Sequence, residues 1–246
     1  MSPRRGEYGF DAPYVPALML LGSTPLWAGA LGALSRGDAV GALTMGLSAA
    51  SLLFCAATFV SATRRGKFEV WDALLDALSL RGDERVLDVG CGRGAVLLAA
   101  ARRLPEGRAV GVDIWRAQDQ SGNAMDATAR NAALEGVGER VELRTGDMRA
   151  LPFDDASFDV VVSSLALHNL TDPADRAKAV REVARVLKPG GRVLLADFRH
   201  ARDYADTLRA AGLGDVQTRG LGVRFWYGGP WAATSLVTAS RPRETC

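Results

Sequence analysis

Hydrophobic and polar positions divide the chain near residue 67. Before that point, no charged residue occurs between Asp11 and Arg36, and none between Asp38 and Arg64. Each gap holds about 24 residues, enough helix to cover about 36 Å against about 30 Å of bilayer hydrocarbon. The pattern predicts two spans, about 13–35 and 39–63, joined by the tight turn Arg36-Gly37-Asp38, with Pro25 kinking or weakening the first. After residue 67 the pattern alternates between short apolar runs and helical spacing. Phe68, Trp71, Leu74, Leu75 and Leu78 recur as one helix face. Strands are predicted at 85–89, 109–112, 141–145, 158–163, 192–197, 216–219 and 233–239. Helices are predicted at 94–104, through Asn131 and Leu134, at 173–187 and at 204–211, and Lys188-Pro-Gly-Gly reads as a helix stop followed by a turn. This is the α/β pattern of a mostly parallel sheet with helices on both faces. The domain division is 1–66, a hairpin, and 67–246, the α/β domain.

Charge adds an orientation. Arg4 and Arg5 precede the first span, and Arg64, Arg65 and Lys67 follow the second. The connecting turn holds one base beside one acid. Basic flanks at both ends predict that both termini and the α/β domain are cytoplasmic, with the hairpin integral to the cytoplasmic membrane. Two buried helices of a soluble domain, or a pair lying flat on a membrane, are the competing readings. A cleaved signal peptide is not, because it has one short apolar core and this chain has two long ones. Gly22, Gly29, Gly32, Gly41, Gly46 and Ala50 let the helices pack closely, within one chain or between chains as a homo-oligomer. The formal net charge of +2 over 246 residues excludes an overall basic footprint for nucleic acid. Three cysteines without framework or metal-ligand spacing exclude a disulfide scaffold.

The chemistry-bearing motif is Val86-Leu-Asp-Val-Gly-Cys-Gly-Arg-Gly94. A buried strand ends there and glycines turn the chain into a helix, which lets a ligand approach the backbone. Asp88 lies two residues before the first glycine. Asp113 ends the second strand, where an acid can take both ribose hydroxyls. Alone, Gly90-x-Gly92-x-x-Ala95 also satisfies a nicotinamide fingerprint.

Three later segments separate those readings. They are Gly146-Asp147-Met148 with Leu151-Pro-Phe, then Phe158-Asp-Val-Val-Val-Ser-Ser-Leu, then Leu187-Lys-Pro-Gly-Gly-Arg-Val-Leu-Leu. In this order the set resembles the class I S-adenosylmethionine-dependent methyltransferases, especially the branch that includes the ubiquinone/menaquinone C-methyltransferases. The resemblance covers about residues 70–240. It implies a Rossmann-like seven-stranded methyltransferase sheet, S-adenosylmethionine as cofactor, S-adenosylhomocysteine as product, and no metal. It further implies that Gly90, Gly92 and Gly94 line the methionine part and that Asp88 helps hold its ammonium. Asp113 binds the ribose, Ile114 and Trp115 flank the adenine, and Asp147 accepts from the adenine amino group with Met148 beside it. Ser164, where the fourth strand opens into its loop, joins the cofactor set. Cys91 reads as a small turn residue.

Three features bear on the acceptor. The stretch 115–123 is longer than the family's usual run into a helix. It reads either as a loop over the cofactor mouth, bringing Gln120 and Asn123 to substrate, or as a solvated surface loop. His168, after the fourth strand, stands at the carboxyl edge where open α/β sheets bind ligands and could take a proton from the acceptor; the alternative is a packed or capping histidine. Phe225, Trp226, Tyr227 and Trp231 form an apolar acceptor pocket, a membrane-interface belt or ordinary core under a hairpin. Together these predict a membrane-anchored methyltransferase acting on a small lipophilic acceptor. Its rivals are a membrane-tethered cofactor-binding or assembly protein without turnover, and a nicotinamide oxidoreductase.

Overall fold

The computed structural model describes residues 4–116 and 120–243. Seven strands, β1 (Arg85–Val89), β2 (Arg108–Asp113), β3 (Val141–Thr145), β4 (Phe158–Ser164), β5 (Leu187–Asp197), β6 (Gly214–Gly220) and β7 (Ser235–Ser240), form one sheet in the order β3-β2-β1-β4-β5-β7-β6. Pairs from β3 through β5 are parallel, and β7 runs antiparallel between β5 and β6. This is the expected Rossmann-like sheet. The winding direction reverses beside β1, between β2 and β4, which opens a crevice at their carboxyl ends.

Alternate residues of β1 enter two different cores. Val86 joins Trp71 and Leu75 of α3 (Lys67–Ala77), Leu97 and Leu98 of α4 (Ala95–Ala101) and Ala132 of α5 (Met125–Leu134). Leu87 and Val89 join Val180 and Val183 of α6 (Pro173–Val186) and Tyr204 and Leu208 of α7 (Ala201–Ala210). The period of two along the strand thus accounts for helices on both faces. One boundary departs from expectation. Lys188-Pro-Gly-Gly lies inside β5, which begins at Leu187 opposite Phe158 and carries an irregular register before Arg192. The buried Leu187–Phe158 pairing overrides the local turn preference there.

At the N-terminal side, α1 (Tyr14–Ser35) runs unbroken through Pro25, and α2 (Ala39–Ser61) starts at Asp38, whose carboxylate accepts from the Gly41 N–H at 2.9 Å. Small side chains fill the seam between them: Ser23, Ala30, Ala33, Ala49 and Ala56 are buried. Leu18, Leu21, Leu31, Leu34, Leu43 and Leu47 point outward, each more than 60 % exposed. Both helices are long and apolar enough to cross a membrane. The second does not stop at its predicted end. A single π-helical turn, Ala62–Gly66, carries it into α3, so one 39-residue helix runs from Ala39 to Ala77.

Residues 4–12 do not stay with the hairpin. They form a strap across the α/β domain. Arg5 and Gly6 N–H donate to Glu135, Glu7 exchanges hydrogen bonds with Asn131, the Tyr8 hydroxyl donates to Glu135, and Phe10 pairs with Ser121. The strap ends in a buried polar junction. The Asp11 carboxylate accepts from Lys67 Nζ at 2.8 and 3.0 Å, from the Tyr227 hydroxyl at 2.8 Å and from Gln120 Nε2 at 2.9 Å. Burial, reinforced by Asp11, pushes the Tyr227 phenol well above its ordinary range, so it remains a donor. Phe59 of α2 stands edge-on to the Tyr227 ring at 5.1 Å.

Two substitutions test this base. Lys67→Met leaves the part-buried Asp11 carboxylate with only its Tyr227 and Gln120 donors and is expected to cost about 1–3 kcal/mol, read as a lowered melting temperature. At Gly66 an added Cβ collides with the backbone carbonyl of Arg224. Gly66→Ala is therefore expected to destabilise by about 1–3 kcal/mol despite alanine's better helix propensity.

Candidate active site

The glycine turn sits in the crevice beside β1. Gly90, Gly92 and Gly94 all have positive φ (74°, 49° and 86°), a region closed to most side chains. A Cβ at Gly90 would collide with Ala166, at the mouth of β4, and lie 3.6 Å from Met148 Cε. The turn is pinned from three sides. Asp113 Oδ2 accepts from Gly92 N–H at 2.9 Å, Thr128 donates to the Gly92 carbonyl at 2.7 Å, and Asn131 donates to the Arg93 carbonyl at 3.0 Å. Asp113 Oδ1 also accepts from Trp115 N–H at 2.6 Å, which holds Trp115 at φ 60° while its indole N–H donates to Thr145. Ile114 beside it is exposed.

The Asp88 carboxylate is satisfied on one side only, by the backbone N–H of Leu97. It is 2 % exposed and its Oδ1 has no hydrogen-bond donor. Burial pushes its carboxyl up to about 7, against the Leu97 N–H, which favours the charged form, and with a smaller push from the Asp113 charge. A buried acid facing a cradle of glycines fits a ligand that brings a cation. The Cys91 thiol next to it is pushed up too, mainly by burial, and stays neutral.

The other predicted positions divide. Met148 lies beside Gly90. Asp147 has its carboxylate engaged by Arg149, at 2.6 Å to Nη2 and 3.0 Å to Nε, and Arg149 also reaches Asp175. The Arg149 hydrogen bonds hold the Asp147 carboxyl below its usual range. Ser164 accepts from the Trp71 indole at 2.8 Å, which ties the end of β4 to α3. Residues 117–119 of the long loop lie outside the described residues. Its far side, Gln120 to Asn123, folds onto the glycine turn. Gln120 Oε1 accepts from Arg93 N–H at 2.9 Å and stands 2.6 Å from where a Cβ on Gly92 would be. Asn123 reaches Asp113 Oδ1 at 3.4 Å.

His168 lies in a short helical turn after β4, two residues beyond Ala166. Its Nδ1 stands 2.9 Å from Oδ1 of the buried Asp197, off the line of a hydrogen bond, while its own N–H donates to Asp197 Oδ2 at 3.1 Å. The ring packs on Phe198. Asp197 also accepts from the Phe198 N–H and the Tyr204 hydroxyl. The aromatic segment splits as well. Phe225 is fully buried and Tyr227 nearly so, both in the core cluster that includes Phe59, while Trp231 is 68 % exposed. Phe225 and Tyr227 are thus structural packing, and Trp226 is half-buried at a bridge to Ala233.

Residues 87–195 match the methyltransferase domain family. The chain is 37 % identical over 134 residues to a ubiquinone/menaquinone biosynthesis C-methyltransferase of Dinoroseobacter shibae, covering 54 % of this chain and 50 % of that protein. It is 38 % identical over 144 residues to the 27-O-demethylrifamycin SV methyltransferase of Amycolatopsis mediterranei, covering 58 % and 47 %. The chain thus spans about half the length of the curated relatives it matches. In fold, the chain resembles geranyl diphosphate C-methyltransferase of Streptomyces coelicolor (TM-score 0.57, 20 % identity, 73 % of this chain and 80 % of that one). It also resembles the YcgJ protein of Bacillus subtilis (TM-score 0.55, 21 % identity, 72 % and 99 %).

Sequence reasoning missed the strap and its junction. One signal was present. In a helical hairpin the residues just outside the two spans stand at one level, and Asp11 and Lys67 carry opposite charges there. Trp71 was read only as an apolar face residue, and its indole N–H proves to be a tie to the site.

The Asp88 shift has a definite sign. A folded pKa raised to about 7, against about 3.9 unfolded, costs the cofactor-free protein stability as pH climbs from about 4 to 7, and the cost is constant above that. Asp88→Asn is expected to raise the melting temperature of cofactor-free protein at pH 8, with a gain that shrinks below pH 7 and vanishes near pH 4. Parallel melting curves across that range check it.

Proposed function

We propose that this chain transfers a methyl group from S-adenosylmethionine to a small lipophilic acceptor. It does so while anchored by α1 and α2 in the cytoplasmic membrane, with the methyltransferase domain on the cytoplasmic side. The single observation that carries the reading is the direction of the Ala39–Ala77 helix. Its α3 end packs near Arg192, at the start of the β5 core pairing, through the Leu78 carbonyl. Its Lys67 end meets Asp11 and Tyr227 at the carboxyl edge. The hairpin therefore leaves the sheet from the edge that holds the glycine turn, and a bilayer around the hairpin lies over the cleft.

When bound, S-adenosylmethionine supplies a methyl group on a sulfonium, a good electrophile with a neutral leaving thioether. The chain's residues bind and orient. Gly90, Gly92 and Gly94 let the methionine part reach the backbone, and ionised Asp88 takes its ammonium, satisfying the carboxylate oxygen that burial leaves without a donor. Asp113 offers its remaining lone pairs to the ribose hydroxyls, with Trp115 and Ile114 along the base. Asp147 meets the adenine amino group from its Arg149 clamp. Positioning the acceptor and excluding water supply most of the rate. His168, steadied by Asp197 and Phe198, receives the acceptor proton. Its Nε2 has to be free for that step.

The test uses the full chain in membranes with methyl-labelled cofactor. Label is expected in a lipid-phase product. Asp113→Ala is expected to weaken cofactor binding at least about tenfold, because it removes charged hydrogen bonds. His168→Ala is expected to lower turnover about 10²-fold with cofactor affinity unchanged. Calorimetric titration that shows no binding by the wild type overturns the cofactor reading. Binding without transfer to any lipid-phase product overturns the acceptor reading.

A further inference from the structure

The connection between β6 and β7 packs against the base of the hairpin. Gly228 lies against Met19 of α1, with the Met19 methyl 3.1 Å from where a Cβ would be. Tyr227 meets Phe59 of α2. The Arg224 carbonyl abuts Gly66. The connection therefore forms a collar that climbs along both helices. Its height follows from helix geometry. About 30 Å of hydrocarbon takes about 20 residues at 1.5 Å each, so a span counted down from Ser35, beside the charged tip, reaches Pro16. Met19 falls inside that depth, and Gly228 stands at its level.

What the collar shows to solvent suits that position. Trp231 is 68 % exposed and Val223 58 % exposed, large apolar side chains that face solvent. Bases accompany them: Arg224 is exposed beside Val223 with Glu69 at 3.7 Å, Arg64 and Arg65 are exposed on the π-helical turn that packs against residues 223–225, and Arg4 lies over the Phe68 ring. An exposed tryptophan and exposed arginines at the base of the hairpin complement anionic headgroups.

We propose that the 221–232 collar is a second membrane contact, docking the methyltransferase domain onto an anionic lipid surface through Trp231 and Val223 together with Arg64, Arg65 and Arg224. This rests on the anchoring of α1 and α2, and it adds an orientation. The domain does not swing freely on its stalk; its carboxyl edge is held against the headgroups, so an acceptor dissolved in lipid reaches the cleft without crossing water.

The experiment reconstitutes the full chain in vesicles of phosphatidylglycerol and phosphatidylcholine whose acyl chains carry bromine near the headgroup or deep in the chain. Of the five tryptophans, Trp27 on α1 and Trp231 are the exposed ones, so differences between wild type, Trp27→Phe and Trp231→Phe isolate each signal. Shallow bromine is expected to quench Trp231, deep bromine Trp27, and aqueous iodide neither. Exchanging Arg64, Arg65 and Arg224 for Glu is expected to abolish the shallow quenching of Trp231 and leave Trp27 unchanged. Quenching of Trp27 by lipid with Trp231 open to iodide overturns the collar while keeping the anchor. Failure of lipid to quench either tryptophan overturns both. Protection of Trp231 that rises with the protein-to-lipid ratio assigns the collar to a second copy and overturns the lipid assignment.

Discussion

The structure depends on one carboxylate. Asp11 closes the strap, holds Lys67 at the start of α3, receives the Tyr227 hydroxyl from the β6–β7 connection and receives Gln120 from the loop over the glycine turn. Four segments far apart in sequence meet at two oxygens. A buried ion pair seldom adds net stability over apolar packing, but it tolerates few geometries. Its contribution here is registry: it fixes the hairpin's base, the strap and the cleft in one arrangement.

From that junction the path to chemistry is short. Gln120 touches Asp11 with its amide nitrogen and the glycine turn with its oxygen. Trp71, one turn along α3 from Lys67, ties Ser164 at the end of β4. The elements beside the cofactor crevice are thus braced against the same helix that continues into the apolar hairpin. The crevice keeps one carboxylate oxygen for its ligand, Oδ1 of the buried Asp88, which accepts from no described residue.

Much of the fold was legible because its signals are local. The seven strands follow from apolar runs between turn residues, and the two long helices from the absence of charge. The glycine turn and Asp113 were found for the same reason: motif, strand end and spacing lie within about 25 residues. The failures were non-local. Lys188-Pro-Gly-Gly is a turn by composition, yet the Leu187–Phe158 pairing draws it into β5. For Phe225 and Tyr227, pocket, interface belt and core stayed open readings, because nothing in their own segment revealed that Phe59 packs with them. Asp11 read as the mere border of an uncharged stretch, since its partners are 56, 109 and 216 positions away.

The strap also decides whether anchor and catalyst are separable. Trimming the two greasy helices to obtain a water-soluble enzyme removes residues 4–12 with them. Glu135, Asn131, Ser121, Lys67 and Tyr227 would then lose their hydrogen-bonding neighbours in a single cut, next to the nucleotide crevice. The apolar hairpin and the strap are thus part of one tertiary structure, and a shortened chain has to graft the strap back.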